Sequence, residues 1–322
     1  MIDNQNAYEQ FVREITEEVR QTVGTDWLVV PRKERKNNSV ILDGIMLQRE
    51  NEKVAPNIYL HPYFTKYCEG ESIAQLAKQI MELCNEKRDE MTLLAEKLDF
   101  SAEYIKEHLY YRLVNKSRNE ELLQEVPHCL YLDLAVVYFW VVYEDGKQLG
   151  SIMMNYSQME RISLTEEELL ELAVVNTPRM FPAVIKGMDE VVKELMTGKV
   201  DFPMFVLSNE IGINGASCLM YPDVAEKIEE KLQGSFYVLP SSVHEVIAIP
   251  GNSARTGHLC EMVYCINRTQ LPEEDILSDN IYYYNAEDKV LQLVCSDIDK
   301  ISESRNADVT DADNREHKKE GA

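Results

Sequence analysis

Two serines, an imidazole and a carboxylate crowd one short stretch of the chain, Leu239-Pro240-Ser241-Ser242-Val243-His244-Glu245-Val246. A histidine that takes the proton of a neighbouring serine turns that serine into a nucleophile. Ser241, Ser242, His244 and Glu245 are therefore the candidate catalytic residues of a hydrolase or transferase. Strand geometry limits the idea. Pro240 to Ser242 reads as a turn and Val243 to Ile249 as the returning strand, whose successive side chains point to opposite faces. His244 and Glu245 then cannot converge on one substrate without a bulge. His244 is expected to be half-exposed, close to Ser241 or Ser242, and without a carboxylate to orient it. Glu245 shares the more apolar face with Val243, Ile247 and Ile249, and is expected near its rim or tied to a donor. The plainer reading is turn chemistry, in which the serines bond their own backbone and the histidine satisfies an adjoining strand.

A second cluster lies in Asn57-Ile58-Tyr59-Leu60-His61-Pro62-Tyr63, where a strand is followed by a polar aromatic corner. His61 and Tyr63 are the candidate ligand-binding residues there, although a proline after a strand also simply stops pairing. His61, His244 and a carboxylate such as Glu245 or Asp43 would make a metal site only if two remote strands met. No local ligand spacing supports one, so no metal is expected. Cys260 and Cys265 diverge on one helix and suit buried small hydrophobes. Arg32, Lys33, Arg35 and Lys36 form the one basic knot, fit for an acidic partner or phosphate, or simply solvated. A glycine-rich phosphate loop, a G-x-S-x-G elbow and an H-E-x-x-H helix are all missing from the sequence, and no cofactor is expected.

The elements that must hold these groups follow from periodicity. Tyr8, Phe11, Ile15 and Val19 recur at helical spacing and predict an amphipathic helix to Gly24. Trp27 to Val30, Ser39 to Leu47 and Asn57 to Leu60 predict a three-stranded antiparallel meander, and Ser72 opens a helix carrying Leu76, Ala77 and Ile80. Leu93 to Glu125 is read as helix over Ser101 to His108, strand over Leu109 to Val114 and a helical turn from Asn119. Cys129 to Tyr143 reads as one central strand, joined through Asp145 and Gly146 to Ser151 to Tyr156. Ser163 and Thr165 each precede a glutamate by three residues and signal a helix start. Pro178 and Pro182 should interrupt that helix, with Val184 to Met196 resuming it. Strands are expected at Phe205 to Leu207, Ala216 to Tyr221 and Phe236 to Leu239, with a helix capped by Asp223. Thr256 to Asn267 reads as helix, and Ile281 to Tyr284 with Val290 to Val294 as a last hairpin. The fold class is α+β, with mixed, mainly antiparallel sheets and flanking helices. Two sub-domains are expected, 1–160 and 161–301, followed by a polar tail, 302–322, too poor in apolar residues to order itself.

The LPSSVHE stretch, the Asn57 to Tyr63 segment, the amphipathic opening and Arg161 to Asn176 together resemble a family of domains of unknown function from low-GC Gram-positive bacteria. More distantly they resemble the YtpQ-like proteins of the same bacteria. The likeness spans Tyr8 to Cys295 and brings with it no activity, cofactor or site residue.

Composition narrows the function classes. The 322 residues carry 33 Lys and Arg against 56 Asp and Glu, a formal net charge of −23 that repels nucleic-acid backbones and anionic lipid. No apolar run is long enough to span a bilayer as a helix. The 7 cysteines, odd in number and scattered, fit free thiols in a reducing cytoplasm. The expected function is a cytoplasmic, non-enzymatic binding or interaction protein with a protein or small-molecule partner, and the runner-up is the hydrolase or transferase of the serine turn.

Overall fold

The computed structural model of the chain describes residues 2–49, 55–95, 98–144, 149–188, 203–240, 242–252 and 256–294. These divide by their internal contacts into two units: Met1–Ile105 with Val142–Gly150, and Lys106–Val141 with the described residues from Ser151 onward.

In the first unit the amphipathic opening is helix α1, Ile2–Val23. It stops at Gly24, whose φ of +78° closes a helix at no side-chain cost. Strands β1 (Trp27–Arg35), β2 (Ile41–Arg49) and β3 (Asn57–Tyr59) form the expected antiparallel meander in the order β1-β2-β3. Two helices follow, α2 (His61–Cys68) and α3 (Ile73–Ala95). The apolar stripes of α1 and α3 pack together, and Phe11, Ile15, Val19, Ile45, Leu47, Leu76, Ala77 and Ile80 form one buried cluster with Tyr63 and Phe64 of α2. Burial of these side chains drives the association of elements that would be marginal alone.

The second unit is built on two antiparallel sheets. After α4 (Ala102–Glu107), strand β4 (Leu109–Asn115) pairs with β6 (Leu134–Glu144), which is flanked on its other edge by β5 (His128–Tyr131) and is also paired by β7 (Leu149–Met153). A short helix, α5 (Glu120–Leu123), lies between β4 and β5. Helices α6 (Tyr156–Arg161) and α7 (Glu166–Met180) come next, each opened by a capping box, Asn155 with Gln158 and Thr165 with Glu168. A six-stranded sheet then takes β8 (Ala183–Gly187), β9 (Phe205–Asn209), β10 (Phe236–Leu239), β11 (Val246–Pro250), β12 (Ile281–Asn285) and β13 (Val290–Val294) in the order β13-β12-β10-β11-β9-β8. Helices α8 (Val224–Leu232) and α9 (Thr256–Thr269) complete it. The α+β class expected from the sequence is the one observed.

Several local expectations are corrected. The run from Cys129 to Tyr143 is two strands, because Leu132 turns at φ +57° and the Asp133 carboxylate accepts bonds from Ser278 Oγ at 2.5 Å, Asn280 Nδ2 at 3.0 Å and Tyr282 Oη at 2.9 Å. A carboxylate with three donors is stable inside, and it pins the corner. Pro178 lies within α7 and does not end it. The residues after Pro182 continue as β8, paired along its length with β9, so tertiary pairing overrides the helical pattern there. Residues 216–220 belong to a 3-10 helix, Gly215–Met220, entered through Asn214 at φ +54°. Asp223, at φ +63°, makes no side-chain cap bond to α8. Residues 189–196, the 145–146 turn, Cys295 and the 302–322 tail lie outside the described residues.

Two outcomes follow from this packing. Strand β6 is buried from Leu134 to Val141, with Leu134, Ala135, Val136, Val137 and Trp140 at 0 % exposure, so Leu134 to Tyr143 should contain the slowest-exchanging amides in hydrogen exchange, and Trp140→Ala should cost about 3–5 kcal/mol in denaturant unfolding. The second concerns acid. Asp279 is half-buried, which pushes its carboxyl up, but bonds from Arg268, Asn267 and Arg118 outweigh this and hold it below the ordinary value of 3.8. A depressed native value stabilises the fold above the unfolded pKa, and that contribution is lost as pH falls through the native one. Asp279→Asn should therefore lower the melting temperature at pH 7, with the deficit narrowing below about pH 4.

Candidate functional site

The octapeptide of the serine turn forms a loop between two paired strands. Strand β10 pairs with β11 from Phe236↔Pro250 to Leu239↔Ile247, which leaves residues 240–245 as the connection. Strand pairing begins at Val246 and not at Val243, because the Val243 N–H donates to the Asp275 carbonyl at 2.8 Å and its own carbonyl accepts from Ala216 N at 3.2 Å. Ser208 Oγ donates to the His244 carbonyl at 2.8 Å. Gly215 makes this close approach possible: a Cβ there would come within 2.5 Å of the His244 carbonyl oxygen.

The His244 side chain is 39 % exposed, and its Nε2 lies 3.3 Å from Asp275 Oδ1. Its Nδ1 accepts from the Asn214 N–H at 3.2 Å. Because that amide can only donate, the neutral ring carries its proton on Nε2 and directs it to Asp275. The expectation that His244 lacks a carboxylate is thus overturned, by a residue 31 positions away at the end of a short 3-10 helix, Glu273–Asp275. The serine half of a triad is not supplied by Ser242. Its Oγ accepts from the His244 backbone N–H at 3.0 Å, and its N–H donates to the Glu245 carbonyl at 3.1 Å. Ser241 lies outside the described residues.

Glu245 is exposed and lines a polar cleft of about 520 Å³ with Lys186, Ser208 and Glu210. The side of β11 that is wholly buried is that of Val246 and Ala248, at 0 % exposure, with Ile249 also inside. The apolar face expected with Glu245 therefore does not form as one surface, because pairing on both edges and packing on both faces bury β11 from two sides.

The first unit holds a cleft of about 590 Å³ where β3, α2 and α3 meet, walled by Pro56, Asn57, Tyr59, Tyr63, Lys66 and Leu83 among others. Tyr63 lines it and burial pushes its phenol up, so the ring presents a neutral hydroxyl. His61, the first residue of α2, is exposed, lies 6.0 Å from the Tyr8 ring between centroids, and does not line this cleft. The sequence reading missed Lys66, Leu83 and the role of Asn57. Lys66 stands one helical turn after Tyr63, a spacing that puts both on one face of α2.

Among the described residues no group of three His, Cys, Asp or Glu could hold a metal ion. His61 belongs to the first unit and His244 to the second. Asp43, the other acid considered, lies 3.6 Å from Lys33 Nζ and is one of the groups, after burial, that push the Tyr8 phenol up to about 12. The described helices include none long and apolar enough to cross a membrane.

Fold and site together define an α+β protein with an apolar cleft in one unit and, in the other, a histidine–aspartate pair brought together from two separate segments. Residues 8–286 match a family of unknown function, DUF5688, and the chain belongs to that family. No curated protein and no solved structure matches it.

The loop geometry makes a prediction. Gly215→Ala forces a methyl against the His244 carbonyl, a backbone atom that cannot rotate away, and should destabilise the second unit by about 1–3 kcal/mol in urea unfolding. Gly24→Ala, with nothing within 4 Å of its Cβ position, should show only the smaller cost of its positive φ.

Proposed function

We propose that the chain is a cytoplasmic, non-enzymatic binding protein whose ligand site is the cleft between β3, α2 and α3. The observation that carries this is the cleft itself: its volume of about 590 Å³ lies in the range of small-molecule sites, and its walls are chiefly aliphatic, proline and tyrosine side chains with a few polar groups. The partner is a small molecule or a segment of another protein, with no nucleic acid, membrane or cofactor involved. A net charge of −23 supports the exclusion of nucleic acid. The low-GC Gram-positive origin, the L-P-S-S-x-H-E stretch as a family mark and the distant YtpQ likeness belong to the same reading.

A second reading has an observation of its own. The His244–Asp275 pair is half of a hydrolytic relay, and Ser241 would have to complete it in a hydrolase or transferase. Against it, Nδ1 is taken by the Asn214 amide and Nε2 by Asp275, so a serine must displace one of them.

The two readings part in one experiment. Full-length chain is purified without tag or chelator, extracted with solvent and examined by mass spectrometry. The binding reading expects a co-purifying small molecule near one per chain, lost in Leu83→Trp, which fills the cleft, at a little-changed melting temperature. It also expects His244→Ala to lower stability by about 1–2 kcal/mol, the scale of its two bonds. An empty extract from wild type, with ester hydrolysis abolished by Ser241→Ala or by His244→Ala at an unchanged melting temperature, would overturn it.

A further inference from the structure

The binding reading leaves the ligand open, and the cleft's own groups narrow it. The charged residues that line it are Lys66 and Lys87, both cations, in a chain whose acids far outnumber its bases. Lys66 is half-buried. Its Nζ donates to Gln79 Oε1 at 2.7 Å and lies 5.5 Å from the Tyr63 ring centroid, and Gln79 Nε2 in turn donates to Glu71 Oε2 at 2.7 Å. The ammonium thus has a neutral oxygen and a ring face but no carboxylate among the described residues. An ammonium offers three donors, and half-removed from water it gains most from an anionic oxygen.

The second observation is Asn57. Both its Oδ1 and its Nδ2 are buried without a hydrogen-bond partner, and the residue lines the same cleft. The amide sits where Gly44 on the paired strand has no side chain: a Cβ at Gly44 would lie 2.5 Å from Asn57 Oδ1. Both amide atoms are closed off over Gly44, so Asn57 shapes the wall of the cleft and does not contact what occupies it.

From these groups we infer that the cleft takes an amphipathic carboxylic acid. Its carboxylate lies on Lys66, and its apolar body lies along Tyr59, Leu83 and the two prolines of the wall. The inference rests on the binding reading above and adds the chemical class of the ligand.

Titration calorimetry of the full-length chain with decanoate and with decan-1-ol separates the two. The apolar chain is the same in both, so only the head differs. Decanoate should bind about tenfold more tightly than decanol, the scale of one charge-assisted hydrogen bond. Lys66→Gln should remove most of that preference and leave decanol unchanged. Equal binding of the two probes, or decanoate binding indifferent to Lys66→Gln, overturns the carboxylate assignment and leaves the binding reading standing. No heat from either probe, with the chain folded, counts against both.

Discussion

The outer edge of β4 is the constraint on which the second unit is organised. An antiparallel edge strand leaves every other amide without a strand partner, and inside a protein each of those amides must find an acceptor. Here the acceptors are side-chain hydroxyls: Thr177 Oγ1 takes the Tyr111 N–H at 3.1 Å and Ser217 Oγ takes the Leu113 N–H at 3.3 Å. At the strand's end Asn115 Nδ2 donates to the Leu277 carbonyl at 2.9 Å. One edge therefore fixes the last turn of α7, the 3-10 helix of residues 215–220 and the chain entering β12. Tyr111 adds a bond from its own hydroxyl to the Ser217 carbonyl, and burial keeps that phenol neutral. The 3-10 helix, so held, presents Gly215 to the His244 carbonyl. The geometry of the serine loop is thus a consequence of how a distant strand edge is closed.

The first unit shows the opposite arrangement. Its sheet and helices bury a conventional apolar cluster, yet one side chain on β3 is left unsatisfied. A buried amide missing its partners costs about 1–3 kcal/mol, a large fraction of a domain's net stability. Leucine at position 57 has nearly the shape of asparagine and lacks that cost. Gly44 provides the room in which the amide sits.

Most of the fold was legible in one dimension. Helical spacing located α1, α3 and α7, Gly24 and Thr165 marked boundaries that capping geometry explains, and alternation found the β1-β2-β3 meander. What failed had a tertiary cause. The 129–143 run looks like one strand because its apolar residues are continuous, and only the bonds from Ser278, Asn280 and Tyr282 to Asp133 reveal the corner. The residues after Pro182 carry a helical pattern and are nevertheless claimed by the edge of β9. The 216–220 segment is apolar enough for a strand, but its backbone is turned toward β4 by the Ser217 bonds.

The site was legible in its residue types and illegible in its partners. A histidine between a serine and a glutamate invites a local triad, but the strand alternation invoked against it does not apply, because residues 243–245 lie in the connection before β11, and Glu245 instead lines a separate polar cleft. Alternation could not foresee Asp275 or Asn214, which lie 31 and 30 positions from His244 in sequence and reach it from separate segments. Both ring nitrogens are thereby occupied, one by a donor that never accepts and one by an acceptor that never donates once ionised. A ring held in this way is oriented and fixed in tautomer, the service that an aspartate gives a catalytic histidine, but the nitrogen that would take a serine's proton, Nδ1, is the one that already accepts from the Asn214 N–H. Orientation without a free basic nitrogen fits a residue that locks a loop, and the same distances would need to open by a hydrogen-bond length before proton transfer could begin.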